Sequence, residues 1–277
     1  MTRFFNTKNL SIVAAGCMTF FSCSEDAENV TPYELPQDVL SQIEQAGFST
    51  EGAMSFRDGY LVEGDIYLTG ADLQNMSPAT PIAAAEQYST NNLVSTNGSR
   101  VITVYAAEGG SKGYSAGMIA GLDEAIRRYN AENLEITFQR ISTDNADITM
   151  TRLRKGEERR GILGSAGFPT SAGDPYGEIK MSGILESSYG LGTNGIATII
   201  AHEMGHCIGF RHTDFFDRSI SCGGSTSNEG ASTVGANHIP GTPTGASASA
   251  KSFMLACTDG GDRPFNNDDK TALNYLY

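Results

Sequence analysis

Three of the chain's four histidines fall within eleven positions, in the run His202-Glu203-Met204-Gly205-His206-Cys207-Ile208-Gly209-Phe210-Arg211-His212. On a helix, His202 and His206 stand one turn apart on the same face, so both imidazoles can hold one metal ion. Glu203 sits beside them, off that face, where its carboxylate can take a proton from water held by the metal. Gly209 tolerates the positive φ of a sharp turn, and that turn brings His212 back as a third ligand. Three neutral imidazoles leave a tetrahedral Zn²⁺ one open position for water, the arrangement of a catalytic centre rather than a structural one. Water bound in this way has its pKa lowered to about 7.

Such a site needs a rigid frame. Gly192-Thr193-Asn194-Gly195 offers an N-cap at Thr193 or Asn194, ahead of an apolar run of Ile196, Ala197, Ile199, Ile200 and Ala201. The motif is therefore expected in the last turns of a buried helix of roughly fourteen residues. Residues 100–106 read as a first strand. Residues 115–131 read as an amphipathic helix with Met118, Ile119, Leu122, Ala125, Ile126 and Tyr129 on one side. Residues 134–141 alternate as a second strand, and 147–151 make a third.

The spacing HExxHxxGxxH is that of metzincin metallopeptidases, and the wording HEMGHCIGFRHTD most resembles the bacterial dual-action HEIGH metallopeptidase family. The resemblance covers most of residues 100–277 and implies an α+β fold. Its metzincin-like catalytic domain would hold a twisted, mostly parallel sheet with an antiparallel edge strand, an active-site helix, a methionine turn and a C-terminal helix. It implies Met254, in Ser252-Phe253-Met254, as the apolar floor beneath the metal, and residues 265–277 resemble the closing helix of matrixins. Residues 161–169 look like the edge strand along which metzincins bind extended substrate, with 177–183 as the strand after it; the alternative is a glycine-rich surface loop. Such an edge pairs with a peptide whatever its sequence.

Astacin-like and serralysin-like relatives place an additional tyrosine ligand two residues after the turn methionine. Ala256 stands there in this chain, so water alone is expected as the fourth ligand. Thr213, followed by Asp214, occupies the position after the third histidine that differs between metzincin families. His238, the remaining histidine, is expected in the loop shaping the S1′ pocket, or else as an exposed loop residue.

Together the residues and the resemblance point to a zinc endopeptidase acting on protein or peptide substrates. His202, His206 and His212 would bind Zn²⁺, and Glu203 would serve as general base and later acid. One alternative is a surface binding or adhesion lipoprotein with a catalytically silent zinc, against which the intact Glu203 stands. An amidase or glycan-directed zinc hydrolase would use similar chemistry.

The front of the chain bears on location. Arg3 and Lys8 precede an apolar stretch over residues 10–22, too short to span a bilayer but typical of a signal-peptide core. Phe20-Phe21-Ser22-Cys23 resembles a relaxed bacterial lipobox with Cys23 as the lipidated residue, and Cys17 is a competing site. Residues 1–22 are expected to be removed. Lipidation would anchor the enzyme to a membrane without spanning it, at the outer membrane or cell surface of a Gram-negative bacterium, with release after processing a further option. The acidic run Ser24-Glu25-Asp26-Ala27-Glu28 reads as a tether.

After removal of 22 residues, 255 remain of 277, enough for one catalytic domain at 100–277 and a smaller N-terminal region at 23–99. That region holds a helix expected at 36–48, a strand at 60–69 and a polar stretch at 90–99, a linker or maturation site. A formal charge of −13 argues against nucleic-acid binding. The loop Thr258-Asp259-Gly260-Gly261-Asp262 could hold calcium or only water. Of Cys207, Cys222 and Cys257, one pair could be bridged in three ways, with Cys222–Cys257 preferred because Cys207 lies on the active-site helix.

Residues 60–68 raise latency. Zymogen metzincins are silenced by a propeptide side chain on the zinc. Matrixins use a cysteine, and none lies between Ser24 and His206. Astacins use an aspartate in a motif resembling Phe-Glu-Gly-Asp, to which Val62-Glu63-Gly64-Asp65 is similar. Asp65 is thus a possible fourth ligand, with activation expected from a cut within 86–99; the alternative is a glycine bend whose Asp65 meets only solvent.

Overall fold

The computed structural model describes residues 35–75, 87–226, 228–230, 234–247, 249 and 251–277. The signal segment, Cys17, Cys23, the acidic tether and Glu86 lie outside the described residues. Helix α1 (Gln37–Gln45) follows Pro36 and is shorter than the 36–48 expected, because Gly47 takes φ +86° and turns the chain away. Strands β1 (Met54–Phe56), β2 (Gly59–Val62) and β3 (Ile66–Thr69) form an antiparallel sheet, and α2 (Gly70–Asn75) follows directly. The single strand expected at 60–69 is in fact a hairpin. Both halves alternate like one strand, but Glu63 (φ +57°) and Gly64 (φ +91°) fold it back so that Val62 faces Ile66. Asp65 stands at the exit of that turn.

The stretch 90–99 is not a free linker. After β4 (Tyr88–Ser89), the Thr90 N–H donates to the Gly209 carbonyl (2.8 Å) and the Ser95 N–H to that of Gly173 (2.9 Å), while Val94 is buried. Then come β5 (Arg100–Ala106), α3 (Ala116–Asn130), β6 (Ile136–Ile141), β7 (Ile148–Arg152), α4 (Lys155–Glu158), β8 (Gly164–Ser165) and β9 (Glu178–Met181). The remaining elements are α5 (Thr193–Ile208), α6 (Ser219–Cys222), β10 (Asn237–His238), which pairs with β4, and α7 (Asn267–Leu276). The fold is α+β. Its main sheet has the order β6-β5-β7-β9-β8, with all neighbours parallel except the edge strand β8. Only Gly164–Ser165 of the 161–169 stretch joins the ladder with β9.

Helices α3 and α5 build the core against this sheet. Ser115 caps α3 by accepting the Met118 N–H, and the expected apolar face is buried. The helices meet at Gly121, where an added Cβ would lie 2.3 Å from Ile196, and the Tyr129 hydroxyl donates to the Ala201 carbonyl (2.8 Å). α5 is buried along almost its whole length. It starts one residue before the expected caps, with Gly192 at the N-cap and Thr193 already helical, and it spans 16 residues. Gly209 ends it at φ +108°, pressed against Leu93 and Thr90.

A capping box of Asn266 and Asp269 opens α7. The buried Asp269 carboxylate also accepts from Ser252 Oγ (2.6 Å), Gln87 Nε2 (2.6 Å) and the Phe253 N–H (3.3 Å), tying β4's flank and the Met254 loop to α7. Burial raises its pKa to about 6 against the pull of these donors. A carboxyl raised in the folded state contributes most below its unfolded value of 3.8, and that contribution is lost as pH rises through about 6. Asp269→Ala should therefore destabilise the fold by roughly 2–4 kcal/mol, because several buried donors lose their acceptor. Thermal unfolding across pH 4–7 should also show the parent's Asp269-dependent decline missing from the variant.

Candidate metal centre

The turn at Gly209 lets His212 fold back on α5. The ring centroids of His202, His206 and His212 lie 4.7, 5.2 and 4.9 Å apart pairwise. Each ring is held at Nδ1: His202 by the Phe253 carbonyl (2.9 Å), His206 by the Phe210 carbonyl (2.9 Å), His212 by Glu229 Oε1 (2.6 Å). A carbonyl only accepts, so Nδ1 of His202 and of His206 carries the proton, and in the neutral imidazole that leaves Nε2 as the lone pair a metal ligand needs. Those two Nε2 atoms are 3.1 Å apart. Asp65 Oδ2 lies 3.3 Å from His202 Nε2 and 3.2 Å from His212 Nε2.

Four electron-pair donors thus converge in a buried space, which repels unless a cation lies between them. Tetrahedral zinc with bonds of about 2.0–2.1 Å has ligand–ligand edges of about 3.3–3.4 Å. These three spacings match and all four ligand atoms lie within 4.8 Å of one another, so the donor set fits Zn²⁺. The charge balance agrees. Burial and its histidine neighbours keep His206 well below the usual imidazole range, the neutral form a ligand needs. Burial would likewise lower His212, but Glu229 and Asp65 outweigh it and demand positive charge at that point. Burial works to raise Asp65, yet the contacts with His212 and His202 hold it well below the ordinary carboxylate range.

Glu203 is 2% exposed and its Oε2 has no hydrogen-bond partner. Burial first, and Asp65 second, push its pKa up. It lies along β8, where a Cβ on Gly164 would sit 2.5 Å from its Oε1. Beyond β8, the Ala166 N–H donates to the Asp65 carbonyl and the Tyr67 N–H to the Ala166 carbonyl, both at 3.0 Å, so β3 extends the sheet in parallel past its edge. Asp65 therefore faces the histidines and not solvent. Met254 is fully buried against Gly205, whose added Cβ would lie 2.5 Å from its Sδ. Its carbonyl accepts the Thr213 N–H (2.8 Å).

Four supporting residues carry no sequence signal of their own. Glu229, alone in a Ser/Gly-rich stretch and 0% exposed, binds His212 and also takes Arg218 Nη1 (2.8 Å) and Arg211 Nη2 (3.4 Å). Arg211 is packed among Phe48, Phe168 and Phe215. Asp214 accepts from the Ala256 N–H (2.9 Å) and Ser221 Oγ (2.5 Å), joining the third-histidine loop to the Met254 loop. The Cys222–Cys257 disulfide reinforces that joint, and Cys207 is free and buried.

Two open alternatives are narrowed. His238 does not line the cavity beside the histidines; it is exposed on β10, with Nε2 near the Thr242 hydroxyl (3.1 Å). The acidic loop at 258–262 is not arranged for calcium, because Asp259 contacts Arg263 (3.3 Å) and Asp262 pairs with Arg128 (2.8 Å).

The sequence model of the dual-action HEIGH metallopeptidase family matches residues 60–277. No curated protein matches the chain. Among solved structures, one of myroilysin matches with 15% identity over 43% of this chain and 46% of that one, at a TM-score of 0.30. A second, a crystal structure of myroilysin, matches with 16% identity over 69% and 90%, at 0.38. High choriolytic enzyme 1, a hatching-enzyme zinc protease from the medaka fish Oryzias latipes, matches with 19% identity over 67% and 93%, at 0.37.

Glu229→Gln should leave the chain folded but weaken zinc retention about 10–100-fold, the usual effect of losing a carboxylate behind a histidine ligand. Competition with a chromogenic chelator measures this directly.

Proposed function

The chain belongs to the dual-action HEIGH metallopeptidase family, which makes it a zinc metallopeptidase of protein or peptide substrates, and on that premise we propose an endopeptidase kept latent by its own N-terminal hairpin and anchored by lipid on Cys23. The convergence of three imidazole nitrogens and one Asp65 oxygen on a single buried point carries this reading. His202, His206 and His212 hold Zn²⁺, which when bound polarises the scissile carbonyl and makes water nucleophilic near neutral pH. Glu203, its Oε2 uncommitted, takes the proton as the water oxygen attacks the carbonyl carbon. It returns that proton to the amine nitrogen as the C–N bond breaks. The Phe253 and Phe210 carbonyls and Glu229 stop the rings from turning, and Met254 closes the floor.

Asp65 fills the position that water needs. The hairpin gets there by pairing β3 with Ala166, and that pairing holds the Asp65 carboxylate where it excludes the catalytic water. A cut within 86–99 would free the hairpin, ahead of the wholly buried Gln87 and Tyr88 or in the exposed positions beyond Thr90. The apolar stretch ending at Cys23 supports lipidation, which would hold the enzyme at the outer membrane or cell surface of a Gram-negative bacterium.

Zinc-loaded protein freed of its hairpin by cutting should cleave casein, and Glu203→Gln in that form should lose roughly 10²–10⁴-fold in rate with zinc retained. His206→Ala should lose the zinc as well; full turnover without Glu203 would sink the mechanism. Asp65→Ala in the uncut chain should raise peptidase activity before any processing, and unchanged activity would remove the latency reading. Labelling with a clickable fatty acid should mark the parent and spare Cys23→Ser.

A further inference from the structure

Beside the histidines, bounded by α5 and the Met254 loop, lies a cavity of about 240 Å³. Leu163, Ile199, Phe253 and Leu255 give it apolar walls, and two arginines line it. Arg218 is committed, its Nη1 donating to Glu229. Arg263 is not. It is only 7% exposed; Nη1 donates to the Cys257 carbonyl (2.9 Å), Nη2 has a longer 3.3 Å contact with the half-exposed Asp259, and the buried Nε–H has no acceptor. Nε and Nη2 share one edge of the guanidinium, spaced to engage both oxygens of one carboxylate. Buried N–H groups are rarely left without a partner, and none of the described residues provides one here.

The position is fixed as well as charged. The Arg263 backbone N–H donates to Thr198 Oγ1 (2.9 Å), and Thr198 lies one turn before His202 on α5. Of the acidic residues lining the cavity, Glu63 and Asp65 belong to the hairpin and Glu203 to the reacting end. We propose that this cavity receives the substrate side chain next to the scissile bond and that Arg263 makes it select aspartate or glutamate. The proposal rests on the peptidase reading above and names its substrate class. The incoming carboxylate displaces the weak Asp259 contact at Nη2, and a small turn of the guanidinium brings the buried Nε–H to its second oxygen. The apolar walls strengthen that pairing relative to water, whereas a neutral side chain leaves the Nε–H without a partner.

The test uses the full zinc-loaded chain carrying Asp65→Ala. On a mixed peptide library, Asp and Glu should be enriched about tenfold at one position flanking the cut bond. Arg263→Met should abolish the enrichment, and Arg263→Lys should keep part of it. A second measurement is independent of turnover. With Glu203→Gln added, fluorescence polarisation should give about tenfold tighter binding of an acidic library peptide than of its alanine counterpart. Cleavage without acidic enrichment, or enrichment that survives Arg263→Met, overturns the pocket while leaving the peptidase standing. Absence of cleavage with the binding preference intact overturns the peptidase while leaving the pocket. If Arg263→Met loses its zinc, the acid-to-alanine binding ratio of the Glu203→Gln chain decides, and a ratio of one refutes the proposal.

Discussion

Lone pairs that face one another inside a protein demand a positive charge, and the surroundings of this centre are arranged around that demand. Two histidines are forced into a single tautomer by backbone carbonyls, and the third is gripped by Glu229. None can turn its bare nitrogen elsewhere without abandoning a buried hydrogen bond. The chain that supplies these holds is itself tied down at several points. Asp269 fastens the Met254 loop, Asp214 joins it to the third-histidine loop, and the disulfide bridges the same joint.

How much of this could be read in the residues depended on range. The α5 helix, its end at Gly209 and the amphipathic face of α3 are written in spacing within one element, where a period of 3.6 is a direct physical signal. The 60–69 hairpin was misread because Glu-Gly-Asp interrupts two halves that share one alternation, and a single strand satisfies the same pattern. The 90–99 stretch looked like a linker because its polar side chains hide the fact that its backbone is hydrogen-bonded to Gly209 and Gly173. Helix α5 has no side-chain cap, so it starts one residue ahead of the Thr193 and Asn194 caps that the residues suggest.

Glu229 shows the other limit. One acid among serines and glycines, 17 positions after His212, has no local reason to be buried. Its role exists only once Arg211, Arg218 and His212 are brought round it. Asp65 differs, because a short motif pointed to it although 137 positions separate it from His202. For His238 the residues left two places open, and strand pairing with β4 puts it on the outside.

The hairpin is joined to the catalytic residues through one chain, and that has a consequence for concentration. While the chain is whole, the inhibitor faces its cleft at an effective concentration that flexible tethers set in the millimolar range. A cut ahead of Gln87 breaks no contact in the cleft, yet it turns the same segment into a separate ligand that obeys mass action. Under the latency reading, activity after cutting would then depend on dilution as well as on the cut. Enzyme crowded on a surface would stay self-inhibited, and molecules released into a large volume would switch on.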